Sequence, residues 1–242
     1  MCGLPSSGKL SRDRLAAHLL TAGYHETSTP GYFHHATLKI SFCLVVGDFG
    51  ICYHHTADLN HLINALSDMY HVKVHPTGTK FLGLTVDYNR SARTITLSYP
   101  GFIKALLTCV RPDGIKHADT PAIYTPSSYG HKGPQHATQL PPSALASEDE
   151  VSQLRTIVGS LLYYSLAVGS TILPAVCALA CQQACATEHT LKAADRLFGY
   201  VAKQPNASIT YTPSDLLLRA PLGASYLSRP ISGSVAGGHH YL

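Results

Sequence analysis

Charge is the scarcest property of this chain. Only 13% of its 242 residues are Asp, Glu, Lys or Arg, against roughly 25% in ordinary soluble domains. With 45% hydrophobic residues there is little polar surface to keep it dispersed, and poor solubility in isolation is expected. Lys and Arg number 18 against 14 acidic residues, too slight an excess for the basic stripe of a dedicated nucleic-acid-binding domain. Runs of like charge and internal repeats are both missing, which excludes charged tails and solenoid arrays. No charged-then-apolar leader precedes Leu10, so nothing marks the chain for secretion. The 7 cysteines lack regular spacing and read as scattered core thiols of a reduced, intracellular protein, cytoplasmic or nuclear.

What is present begins with length, enough to bury roughly 70% of the unfolded surface in one large or two modest domains. "GKLSRDRLAAHLLTAGY" predicts an amphipathic helix capped by Ser11, with Leu15, Leu19 and Leu20 inward and Gly23 as its stop. Strands follow in "GYFHH", "KISFCLVV" and "ICYHH", rich in β-branched and aromatic residues, with a tight turn at residues 47–50. Thr56 caps a second helix carrying Leu59, Leu62, Ile63, Leu66 and Met69. "HVKV" reads as a strand, and "KFLGLTVDY" as a strand that turns through "NRSA" into "RTITLSY". "PGFIKALLTCV" is a helix leading out.

At residues 111–147 the composition turns to proline with few large aliphatics, the mark of an extended connector and a domain boundary. Residues 148–204 have a helical pattern in three segments, broken near Gly169 and between Ala186 and Thr187, where Thr187 caps the last. The tail returns to strands in "ASITYTP", "DLLLRAPLGASYL" and "SVAGGHHYL". Residues 157–182 carry no formal charge and could by length cross a bilayer. Ser160, Ser165, Gly169, Ser170, Thr171 and Pro174 split that run into two halves, and no basic cluster flanks it. Two buried helices are expected, with a membrane span as the alternative.

Three patterns suggest sites, and the residues argue against each. "GLPSSGKL" has the Gly-x4-Gly-Lys spacing of a phosphate loop, yet Leu10 stands where a Ser or Thr must reach magnesium, and no strand precedes it. Cys177, Cys181, Cys185 and His189 fall four apart, a slanted stripe rather than a tetrahedron, and read as buried core cysteines. The pairs His34-His35, His54-His55 and His239-His240 alternate faces on strands and read as solvated. Asp48 remains, alone at the tip of "CLVVGDFGICY". Taken by itself, "GDFG" is an ordinary turn, since Gly and Asp suit such tips for backbone reasons.

The ordered blocks "CGLPSSGKLSRDRL", "FCLVVGDFGICY", "HLINALSDMYHV", "KFLGLTVDYNRSARTITLSYPGFIKALL", "VGSLLYYSLAV" and "LGASYLSRPISGSVAGGHHYL" resemble the later half of a copia-type LTR-retrotransposon reverse transcriptase running into its RNase H domain. They cover nearly the whole chain, and their order is more specific than any one of them. The resemblance implies an α+β fold in four parts. Residues 1–110 would be a partial palm, an antiparallel sheet with helices, including a primer-grip-like hairpin at Phe81, Leu82, Gly83 and Leu84. A connector at 111–147, a helical thumb and connection at 148–204 and a truncated RNase H-like start at 205–242 would follow. It also implies RNA-directed DNA synthesis from deoxynucleoside triphosphates on a primer–template or RNA/DNA hybrid, with Mg2+ as cofactor and no membrane partner.

In that family two adjacent Asp residues occupy the palm hairpin turn and, with a third from an earlier strand, hold two magnesium ions. Those ions activate the primer 3′ hydroxyl and stabilise the leaving pyrophosphate. Carried over, the first Asp falls on Gly47 and the second on Asp48, and the third would lie before Met1. Asp48 is then a relict ligand, insufficient alone to hold the metals. The nucleotide-bordering loop falls on Leu4, Pro5, Ser6 and Gly8, with Ser6 where Gln is expected. In "LGASYLS", Gly223 stands where the RNase H domain has a metal-binding Asp; the other reading is a strand glycine at a bulge. The chain is expected to begin and end inside catalytic domains and to be an inactive polymerase. A non-catalytic hybrid-binding module, or a membrane-associated protein using residues 157–182, are the alternatives.

Overall fold

The computed structural model describes residues 6–123, 143–215, 217–229 and 233–241. The protein is mixed α+β, with antiparallel sheets and helices, and divides into two units, Met1–Val86 and Asp87–Leu242.

The first unit is built on a four-stranded antiparallel meander: β1 (Tyr24–Glu26), β2 (Tyr32–His35), β3 (Ile40–Val45) and β4 (Asp48–Tyr53), paired in that order. Period-two alternation decides its faces. On β3, Ile40, Phe42 and Leu44 are buried while Cys43 and Val45 are exposed. Helix α1 (Ser7–Thr21) contributes Leu15 and Leu19 and α2 (Thr56–Ser67) contributes Leu62 and Leu66 to one cluster with Tyr24, Phe33 and the inward residues of β3. Phe33 stacks on Phe42 at 5.2 Å between ring centroids. The opposite face of the sheet carries His25, Tyr32, His34, Cys43, Val45, Asp48 and Cys52, all exposed.

Several expectations for this unit need correction. Helix α1 begins at Ser7, so Ser11 lies inside it, and Leu20 is exposed because Leu15 and Leu19 already fill the buried stripe. Gly23 does stop the helix, at φ +88°. The N-cap of α2 is His55, and Thr56 is its first helical residue. "HVKV" forms no strand. "KFLGLTVDY" is two strands, β5 (Lys80–Phe81) and β6 (Leu84–Asn89), because Leu82 and Gly83 take φ of +52° and +77° and reverse the chain in two residues.

The units divide within β6, and the second sheet has the order β5-β6-β7-β8. Strand β7 (Thr94–Ser98) returns from a turn at residues 90–93, one residue beyond the expected 89–92, and pairs with β8 (Ser208–Tyr211). The second unit also holds α3 (Phe102–Val110), α4 (Glu148–Ala167), α5 (Leu173–Ala180), α6 (Glu188–Lys203) and a separate hairpin of β9 (Leu222–Arg229) and β10 (Gly233–Gly238). Residues 148–204 break near Gly169 and before Thr187 as the sequence indicates, and 3-10 turns at Ser170–Ile172 and Gln183–Cys185 fill the breaks. Capping boxes start two of these helices, Ser147 with Glu150 on α4 and Thr187 with Thr190 on α6. No helix among the described residues is long and apolar enough to cross a membrane.

The cysteine expectation fails. Cys43, Cys52, Cys109, Cys177, Cys181 and Cys185 are all exposed, because the flanking large apolar residues occupy the inward positions, as Val176 and Leu179 do around Cys177 on α5.

One feature of the second unit escaped the composition altogether. Residues 111–120 lie across α6, tied by Arg111 to Asp195 at 2.8 Å, by Arg196 to Thr120 at 2.7 Å and by Lys203 to Asp119. The strap runs so close that a Cβ on Gly199 would collide with the Lys116 carbonyl. A glycine inside a helix ordinarily costs about 0.5–1 kcal/mol relative to Ala. Gly159 on α4 is free of any such neighbour. Gly159→Ala should therefore stabilise the chain by about 0.5–1 kcal/mol, whereas Gly199→Ala should destabilise it by roughly 1–3 kcal/mol. Urea midpoints of the two variants would check this opposition of sign.

Candidate functional site

Asp48 opens β4 directly across from Val45, the last residue of β3, so only Val46 and Gly47 make the turn. Val46 takes φ +57° and is 97% exposed. A β-branched residue in the left-handed region is a genuine outlier, and such strain concentrates at functional sites. Nothing in the packing compensates Val46 for it, since the side chain projects into solvent.

Gly47, in contrast, is not among the glycines of positive φ, and a Cβ there would meet nothing within 4 Å. Neither backbone conformation nor space demands a glycine at this position. The ordinary-turn explanation, in which glycine supplies the left-handed residue, therefore fails here: Val46 supplies it instead.

The primer-grip-like residues divide between contact and turn. Phe81 lies over Gly50, where an added Cβ would stand 3.1 Å from the ring, so the glycine on β4 makes room for the aromatic. Phe81 pairs with Leu84 across the Leu82-Gly83 turn, and Leu84 is buried. Phe81, from β5, thus packs on β4 from the face that bears Asp48, since residues 48 and 50 of a strand point alike.

Of the nucleotide-loop residues, Ser6 is the N-cap position of α1 and makes no side-chain cap bond, while Gly8 is within the helix. Leu4 and Pro5 lie outside the described residues. Gly223 is on β9 of the other unit, paired with Gly237. The register shift of that hairpin falls between Gly233 and Val235, so Gly223 is not a bulge residue, and a Cβ on it would meet nothing within 4 Å.

Among the described residues, no group of three or more His, Cys, Asp and Glu side chains stands together as a metal site. Asp48 alone does not fit the donor set of a two-metal centre, which needs several oxygen ligands.

The functional-looking group that sequence reasoning missed lies on the covered face. His35, expected to be solvated, is half-buried, with Tyr24 at 4.9 Å and His61 at 5.2 Å, both edge-on. The Tyr24 hydroxyl hydrogen-bonds His61 Nδ1 at 3.0 Å. Burial first and the Asp58 carboxylate second push Tyr24 up to about 12. Asp58 is itself buried, and its Oδ2 has no hydrogen-bond partner. The signal available beforehand was the i, i+3 spacing of Asp58 and His61 on one helix.

No protein-family model, curated protein or solved structure matches this chain.

The conformation of Val46 carries a direct consequence. Left-handed backbone costs an L-residue roughly 1–2 kcal/mol, part of which glycine's greater unfolded freedom would offset. Val46→Gly should therefore raise the unfolding free energy by up to about 1 kcal/mol with an unchanged urea slope. A lowered midpoint would show that the turn is relaxed with valine.

Proposed function

We propose that this chain derives from the palm of a copia-type retrotransposon reverse transcriptase and has lost RNA-directed DNA synthesis and RNA-strand hydrolysis while keeping the scaffold. One observation carries the reading: of the three positions in this chain where the family resemblance expects a metal-binding Asp, 47 and 223 hold glycine, and at neither does the fold require it. Gly47 and Gly223 have open space where a side chain would go and no left-handed backbone. The glycines at 23, 31, 50 and 199, in contrast, each give way to a close neighbour. A position that could hold Asp, and that matches an Asp in the ordered blocks, is a lost ligand more economically than a structural glycine.

The chemical consequence follows from charge. A two-metal site works by clustering carboxylates around the cations. With Asp48 alone on the turn, no step of nucleotidyl transfer is available to the residues described. The placement of Phe81 over Gly50 favours a second role, retained binding of a primer–template or RNA/DNA hybrid along the face that bears Asp48. Such binding would weaken as salt rises.

The test uses the full chain and Gly47→Asp. The wild type should show no magnesium-dependent primer extension. The variant should fold with a urea midpoint equivalent to within about 0.5 kcal/mol, the range of an uncommitted surface position. Incorporation by the wild type, or a loss above roughly 2 kcal/mol in the variant, would overturn the reading. Fluorescence anisotropy on a primer–template at two salt concentrations separates a chain that still binds from one whose likeness is only inherited.

A further inference from the structure

His35 ends β2, and its ring nitrogen Nδ1 accepts two backbone hydrogen bonds, from the N–H of Thr37 at 3.1 Å and of Leu38 at 3.0 Å. An imidazole nitrogen that accepts from two N–H groups carries no proton of its own, so this ring is the neutral tautomer with its proton on Nε2. Nε2 sits against the junction of α1 and β1, with the Ala22 carbonyl as the acceptor nearby. A Cβ on Gly23 would stand 2.7 Å from Nε2, so glycine at 23 admits the ring as well as ending the helix. The Ala36 N–H donates to the Gly23 carbonyl at 3.0 Å and closes the same junction. One side chain thus ties the β2–β3 connection to the end of α1.

We propose that His35 is an acid-released clasp: protonation at Nδ1 turns an acceptor of two N–H bonds into a third donor facing them, ejects the ring and frees residues 36–39. No other atom changes its covalent bonds; one solvent proton is taken up. The titratable groups that face the ring are Tyr24 from β1 and Asp58 and His61 from α2, while His25 acts on it from the other face of the sheet. Burial first and His61 second hold the His35 imidazole below its ordinary range, outweighing the Ala22 carbonyl and Asp58, which favour the proton.

The sign follows from linkage. A histidine whose folded pKa lies below its unfolded value binds more protons when released, so the clasp is at full strength above about pH 6.5 and weakens as pH falls below it. The inference does not rest on the polymerase reading.

The experiment is an NMR titration of the full chain from neutral pH to about 5, following imidazole and amide signals and hydrogen exchange. Expected are an Nε2–H tautomer for His35 at neutral pH and a titration below the free value. Protection of the Thr37 and Leu38 amides should fall by about tenfold per pH unit below roughly 6.5 until the folded pKa is reached. His35→Asn places an amide oxygen where Nδ1 was and cannot titrate, so it should hold the connection and abolish the dependence. His61→Gln should move the transition to higher pH. If His35 titrates at or above the free value, or the two amides keep their protection through its titration, the clasp is overturned. Should His35→Asn fail to fold, the wild-type titration and His61→Gln decide the matter alone.

Discussion

The register of β3 against β4 is the constraint on which the first unit depends. Phe42 faces Ile51, Cys43 faces Gly50 and Val45 faces Asp48. A slip of one residue would turn Ile40, Phe42 and Leu44 out to water and Cys43 and Val45 into the core, since side chains alternate with a period of two. Burying a large aliphatic or aromatic side chain is worth about 1.5–3 kcal/mol, so three such residues lock the pairing. That lock alone fixes Asp48 on the open face, at a turn of two residues. The carboxylate's position is a by-product of where the phenylalanine must go.

Some glycines are fixed by a close neighbour. At Gly31 an added Cβ would meet the Leu44 carbonyl at 2.9 Å, at Gly50 the Phe81 ring, and at Gly169 the ring of Tyr164. Each is a place where two elements approach closely, and Tyr164 is itself anchored by Pro205 and Ala207 through its hydroxyl. Gly47 and Gly223 are not of this kind. Composition counts all of them alike, which is why a glycine's meaning has to be read from the space around it.

Much of the helical half was legible because its punctuation is local: Thr187 caps α6 with Thr190, and Pro174 stands in the first turn of α5. The exposure of Cys43 was misread although the signal was there: it lies between Phe42 and Leu44 on a strand whose alternation is plain, and that period overrides the general tendency of cysteine to be buried. What could not be read were contacts set by tertiary approach. Nothing in "KFLGL" announces that a leucine will adopt φ +52° and split a strand. Nothing local shows that His35 will accept from amides two and three residues on while leaning on α1 and α2. The strap of residues 111–120 was hidden for the same reason, its only trace being a glycine within α6.

On the proposed reading, the contrast between Phe42 and position 47 would account for a scaffold that outlasts its chemistry. Two carboxylates side by side on an exposed turn repel one another unless a cation lies between them, so replacing one with glycine relieves a charge conflict and disturbs no packing. A truncation of Phe42, fully buried and stacked on Phe33, would cost about 3–5 kcal/mol, a large part of the stability of a domain this size. Under selection for folding alone, the core, the strand register and the Phe81 contact are held in place. The charges at the tip are not, because folding gains nothing from keeping two carboxylates together there. A turn short of carboxylates on an intact sheet is therefore what the proposed loss of catalysis would leave in a chain that still folds.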